Sequence, residues 1–162
     1  ARRLQGWECE LVYADVIDMD PEVISALNAT RLPFDELLAV SDIVTLHVPL
    51  EPTTRKLMST REFGLMKKTA VLINTCRGPV VDEAALIQAL RDGELALAGL
   101  DVLEAEPSPV DNPLFEMDNV IITPHMATRA HESTLRSADF AVANVSRVAR
   151  GEEPTSLVPP IQ

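Results

Sequence analysis

Short apolar runs alternating with stretches of helical periodicity restrict this chain more than any other feature. Such alternation packs well as a parallel sheet with helices laid over both faces. Residues 11–15, 42–46, 70–74, 97–103 and 119–123 read as strands, with 42–46 expected to be fully buried. Residues 30–33 read as a brief edge strand, because Pro33 would remove a ladder hydrogen bond from the middle of a sheet. Asp20, Pro21 and Glu22 supply a cap, a first-turn proline and an acid for one helix. Further helices are expected over 34–40 and 60–66. Another begins at the cap Asp82, repeats Ala85, Leu86, Ala89 and Leu90 at helical spacing and stops at Gly93. A long helix over 129–150 ends at Gly151, a proline-rich loop joins the last two strands, and residues 1–5 read as helix closed by Gly6.

Composition narrows what such a sheet could do. The chain has 162 residues, enough for a real core, and 46% hydrophobic with 24% charged residues is ordinary for a globular protein. No segment approaches the ~20 apolar residues of a membrane span, and the opening Ala1-Arg-Arg-Leu-Gln5 has no apolar signal core, so the expectation is a cytoplasmic protein. A formal net charge of −11 opposes binding to nucleic acid or anionic lipid. Cys9 and Cys76 match neither a metal-ligand spacing nor a disulfide framework, and no metal site is expected.

Polar residues gather where the strands end. Asp15, His47, Arg77, Asp101 with Glu106, and His125 fall at or just beyond the carboxyl ends of successive strands. In open parallel sheets this edge binds ligands, because loops and helix N-termini converge there. Arg77 stands at the mouth of an apolar strand. Its guanidinium is permanently charged and offers a planar fork of donors suited to a carboxylate.

Four segments in order, "LHVPLEPTTRKL" (46–57), "LINTCRGPVVDEAAL" (72–86), "GLDVLEAEP" (99–107) and "NVIITPHMATRA" (119–130), resemble the signatures of the D-isomer-specific 2-hydroxyacid dehydrogenases. The resemblance covers nearly the whole chain and is far more specific than a lone glycine motif. It implies a doubly wound, Rossmann-type domain that binds NAD. The glycine-rich phosphate turn of that family would lie before Ala1. Residues 1–162 are therefore expected to be an N-terminally truncated, partial dinucleotide-binding domain that lacks the first strand, the glycine-rich loop and the separate substrate domain.

The resemblance also assigns roles. His125 matches the acid/base that exchanges a proton with the substrate oxygen, and imidazole suits both directions because it titrates near ~6.5. By residue type alone, a histidine capping the following helix is the favoured reading of His125, and the motif around it reverses that preference. Glu106, immediately before Pro107, matches the acid that holds the imidazole, whereas Glu104 reads as a solvated loop carboxylate. Arg77 matches the anchor for a 2-oxo carboxylate, its structural alternative being an ion pair with Asp82 or Glu83. Asp15 resembles the acid that accepts from the adenosine ribose hydroxyls and so favours NAD over NADP, with an ordinary turn aspartate as its alternative. Val48, Pro49 and Thr54 match the adenine-side loop. Asp101 matches a nicotinamide carboxamide contact and Cys76 a small filler beside the nicotinamide, with a reactive thiol as the minority alternative, and Thr75 and His125 are also expected to contact the cofactor. His47 is expected to pack, and His131 to be an exposed helix residue.

The activity implied is interconversion of a small 2-oxo acid and a D-2-hydroxy acid by a parent enzyme expected to be a homodimer. Two alternatives stay open: an NAD-binding corepressor-like module, which the same motifs would fit, and an inactive partial gene product.

Overall fold

Turn and cap residues set the elements much where the sequence puts them. The computed structural model describes residues 1–157, and the chain divides into two compact units, one ending at His125 and one starting at Met126. In the first unit the strands are β1 (Leu11–Tyr13), β2 (Ala29–Arg31), β3 (Ile43–Leu46), β4 (Val71–Asn74), β5 (Leu97–Leu100) and β6 (Val120–Ile122). The helices are α1 (Pro21–Leu27), α2 (Phe34–Val40), α3 (Thr60–Leu65) and α4 (Glu83–Arg91). The Asp20 carboxylate accepts from the Glu22 N–H and Asp82 from the Ala85 N–H, so both expected caps are made, each worth about 1 kcal/mol. Gly93 and Gly151 take positive φ beyond α4 and the long helix, as helix-ending glycines do.

The strands are all parallel, in two sheets. β1 pairs with β2, and β3, β4, β5 and β6 form a second sheet in sequence order. Strand order rising one way from β3 with helical crossovers is the Rossmann-like α/β arrangement that the alternation implies. Among the described residues no ladder joins β1 to β3.

Several expectations change. Residues 1–5 form a 3-10 turn over Arg2–Leu4 rather than the end of an α-helix. The edge strand starts at Ala29 and ends before Pro33, and the 97–103 strand stops at Leu100 because the chain turns at Asp101. Two further 3-10 turns, Gly78–Val80 and Pro113–Glu116, occupy segments read as loop. The largest correction concerns β3. It is buried on one face only, with Val44 and Leu46 inside while Ile43 is 61% exposed and Thr45 also faces out. The same alternation holds for β5, whose Leu97 is exposed and Ala98 buried.

The core lies on that covered face. Leu38 of α2, Phe63 of α3 and Leu86 and Leu90 of α4 pack with Val44, Leu46, Leu72, Ala98 and Leu100 of the sheet. Phe63, fully buried, contributes roughly 1.5–3 kcal/mol on its own. This clamps the carboxyl ends of β3, β4 and β5 side by side.

The second unit is dominated by α5 (His131–Ala149), none of whose residues is buried. Leu135, Phe140, Val142, Val145 and Val148 are all exposed. His131, its first residue, is exposed as expected. Among the described residues no helix is long and apolar enough to cross a membrane.

Candidate active site

Three strand-end turns carry the candidate catalytic side chains. The first follows β4. Asn74 is 1% exposed, and its amide donates to the Arg77 carbonyl at 3.0 Å and accepts from the Cys76 N–H at 3.1 Å, which folds residues 74–77 tightly and brings Arg77 to the surface. The exposed Arg77 guanidinium donates to the Cys76 carbonyl at 2.6 Å through Nη1. Asp82 pairs instead with Lys56 at 3.1 Å, and among the described residues Arg77 forms no ion pair with Asp82 or Glu83, so that structural alternative is not realised.

The second turn follows β5. Asp101 is buried and accepts from the Thr123 hydroxyl at 2.5 Å. Glu104 is exposed but is not merely solvated. It accepts from the Glu83 N–H at 3.3 Å, while its own N–H donates to the Glu83 carboxylate at 2.8 Å, which ties this loop to the start of α4. Glu106 Oε1 accepts from the Leu103 N–H at 3.4 Å, leaving Oε2 for the third turn.

That turn follows β6. His125 adopts a positive φ of 48°, and its N–H is shared between the Asp101 carbonyl at 2.8 Å and the Thr123 carbonyl at 3.0 Å. These bonds hold a strained backbone that swings the imidazole towards the β5 loop. Its Nδ1 lies 2.8 Å from Glu106 Oε2. The imidazole and carboxylate are each about half exposed, so the pair is open to a ligand.

The remaining candidates sit along the same edge. Asp15 follows β1, and its Oδ1 accepts from the Ile17 N–H at 3.0 Å while the side chain stays exposed. Arg31 donates to the Asp15 carbonyl at 2.7 Å and pairs with Asp18, bracing this turn from β2. Beyond β3, the Thr54 hydroxyl donates to the Pro49 carbonyl at 2.6 Å and accepts from the Glu51 N–H at 2.8 Å, which closes the loop that begins with Val48. Val48 packs on the core. His47 does not pack: it is exposed, with Nε2 3.0 Å from the Thr45 hydroxyl, because it continues the open face of β3. Thr75 is exposed, and Cys76 is partly buried with its Sγ 3.1 Å from Asn74 Oδ1, in keeping with a space-filling role.

A family profile described as "D-isomer specific 2-hydroxyacid dehydrogenase, NAD binding domain" matches residues 1–127. The chain belongs to this family. The domain's cofactor is NAD. The glyoxylate reductase of Korarchaeum cryptofilum is 42% identical over 158 residues, which cover 98% of this chain and 47% of that protein. Among solved structures, the holo form of Rhodotorula graminis D-mandelate dehydrogenase superposes with a TM-score of 0.91 at 34% identity, covering 99% of this chain and 47% of that one. The NAD-complexed D-isomer specific 2-hydroxyacid dehydrogenase of Lactobacillus delbrueckii ssp. bulgaricus gives a TM-score of 0.88 at 36% identity, over 98% of this chain and 51% of that one. This chain thus spans about half the length of the relatives it matches.

The residues along this edge of the family member suit a dinucleotide. An exposed acid ends β1, a closed polar loop ends β3, and small side chains at Thr75 and Cys76 border Arg77. Asn74 and Gly78 were not singled out from sequence. A Cβ on Gly78 would lie 1.7 Å from the Leu103 carbonyl oxygen, so only glycine lets the arginine turn and the Glu106 loop approach this closely. The sequence signal was a glycine directly after the candidate arginine Arg77.

Proposed function

We propose that this chain works within a longer polypeptide, as the larger part of the NAD-binding domain of an oxidoreductase that interconverts a 2-oxo acid and a D-2-hydroxy acid. The observation that carries the proposal is the 2.8 Å contact between His125 Nδ1 and Glu106, on the same strand-end edge as an exposed Arg77. With Nδ1 engaged by the carboxylate, Nε2 is the nitrogen left to exchange a proton with the substrate oxygen. Glu106 orients the ring and stabilises the imidazolium form by its opposite charge. The exposed donors of Arg77 grip the substrate carboxylate as a fork.

NAD, when bound, supplies or accepts the hydride. Asp15 would hold the adenosine ribose and disfavour a 2′-phosphate, Val48, Pro49 and Thr54 would border the adenine, and Thr75, Cys76, Asp101 and His125 would border the nicotinamide. In the direction of reduction, the carbonyl carbon takes up hydride while His125 gives its proton to the oxygen, and the reverse reaction returns it. Relatives that are glyoxylate reductases favour a small 2-oxo acid as substrate. The reading includes a cytoplasmic homodimer, supported by two free cysteines and by the exposed apolar side chains of α5.

The test is NADH oxidation by the full-length polypeptide with glyoxylate, hydroxypyruvate and pyruvate. Turnover of at least one is expected. NADH binding without turnover of any 2-oxo acid would replace the enzyme with a cofactor-sensing module of the same family.

A further inference from the structure

The contacts around the proposed catalytic residues form a closed ring that begins and ends at Arg77. The Asn74 side chain donates to the Arg77 carbonyl. The Asn74 carbonyl accepts from the Asp101 N–H at 2.9 Å, and the Asp101 carbonyl accepts from the His125 N–H at 2.8 Å. His125 meets Glu106, and Glu106 accepts from the Leu103 N–H. The Leu103 carbonyl lies against Gly78, the residue after Arg77. Every member of the ring is a strand-end or turn residue, and Asn74 is the most deeply buried side chain among those that bond within it.

A buried amide is costly unless its donor and acceptor are both satisfied, and an apolar residue would serve the core better if packing were the only demand at the end of β4. Asn74 satisfies both needs on the arginine turn itself, giving Nδ2 to Arg77 and Oδ1 to the Cys76 N–H and thiol. Among short side chains the amide alone offers a donor atom and a separate acceptor atom: ionised aspartate only accepts, and serine uses one atom for both. Resting on the function proposed above, we infer that Asn74 is a positioning residue for Arg77, fixing the turn that points the guanidinium at the substrate carboxylate while its backbone keeps that turn in register with His125.

The test is a double-mutant cycle in the full-length polypeptide. Asn74→Asp keeps the acceptor for Cys76 and loses the donor to Arg77. It should raise the KM for the 2-oxo acid about tenfold, the size of one lost hydrogen bond, and leave the KM for NADH within about twofold. In an Arg77→Lys background the same change should alter the 2-oxo acid KM by less than about twofold, since the fork that Asn74 aims is already gone. Losses that multiply across the two sites, or an equal rise in the KM for NADH, would overturn the inference, because a residue that merely supports the fold would act that way. If Asn74→Asp does not accumulate as folded protein, the same cycle is read on the smaller, neutral Asn74→Ser. An unchanged 2-oxo acid KM in Arg77→Lys alone would remove both the anchor role and this inference. A clear effect of Arg77→Lys with none from Asn74→Asp would remove the inference alone.

Discussion

The stretch from Leu38 to Leu114 and the stretch before it bear the same kinds of element but are held in different ways. Every buried residue among those described lies between Leu38 and Leu114, and none lies in the segment that contains β1, α1 and β2. In the later stretch, Arg77 and Glu106 stand on turns anchored to a packed sheet, and His125 is tied back to it through Asp101. In the earlier one, Asp15 rests on its own Asx turn and on Arg31 across one strand pair. The proposed chemistry therefore has a rigid mount, which catalysis requires because small displacements of reacting groups are costly. The proposed ribose contact has a local mount, adequate for a hydrogen-bonding acid.

The sharpest way to break this comparison is at His125. In the full-length polypeptide, His125→Ala should lower kcat by roughly a hundredfold or more and leave NADH affinity nearly unchanged, as stopped-flow turnover and fluorescence titration would read. Near-normal turnover would mean that the rigid region is not where the chemistry sits.

Next in size is a stability effect confined to the rigid region. Gly78→Ala would put a methyl group into the Leu103 carbonyl and should destabilise the protein by about 1–3 kcal/mol or more in denaturant unfolding. Gly64→Ala is the control, since its Cβ would meet nothing within 4 Å and the site is helical, so the change should be neutral or stabilising by up to ~1 kcal/mol. Equal losses at the two glycines would show that the close approach at Leu103 is relaxed in solution.

These two glycines also mark what the sequence reveals and what it hides. α2 is legible to the residue because Pro33 precedes it and apolar residues recur along it, and the four motifs single out Arg77, Glu106 and His125 as candidates. Their joint mount is not legible. Nothing local to Asn74 announces that its amide closes a turn, nothing in Gly78 reveals that Leu103 lies against it, and the positive φ of His125 depends on carbonyls of Asp101 and Thr123. The approach of Leu103 to Gly78 and the bond from His125 to Asp101 join separate strand-end turns, whereas the Asn74 amide closes its own turn through a side-chain bond that no periodicity reveals. The alternation of Ile43 and Thr45 with Val44 and Leu46 is the sequence mark of a half-open β3, which the strand's overall apolar character masks.

A smaller effect is expected in the locally mounted region. Asp15→Ala should weaken NADH binding by about tenfold or less, tolerate NADPH better, and leave the unfolding midpoint unchanged, because an exposed turn carries little stability. A parent that already prefers NADPH would show that this acid does not face the ribose.

The smallest effect tests how the rigid region responds to acid. The Lys56 ammonium, hydrogen-bonded and close, holds the Asp82 carboxyl below the usual carboxylate range, helped by the Ala85 N–H and the Ser59 hydroxyl, and Asp82 in turn raises the Lys56 ammonium. A carboxyl depressed on folding contributes stability that is fully present above its unfolded value near ~3.9 and is lost as pH falls through the lower folded value. An ammonium raised on folding contributes below its unfolded value near ~10.4 and loses that contribution as pH rises through the higher folded value. Between those limits both act, so neutral pH cannot separate them and acid can. Asp82→Asn keeps a good helix cap but removes the charge, so at neutral pH it should lower Tm by at most a few degrees, as befits an ion pair whose lysine is largely in solvent. Below pH ~4 the gap should close, because acid removes from the parent the charge that the variant already lacks. Scanning calorimetry at neutral pH and in the acid range reads the difference. A Tm gap that persists or widens on acidification would mean that the charge of Asp82 does not brace this turn and that its carboxylate serves only as a cap for α4.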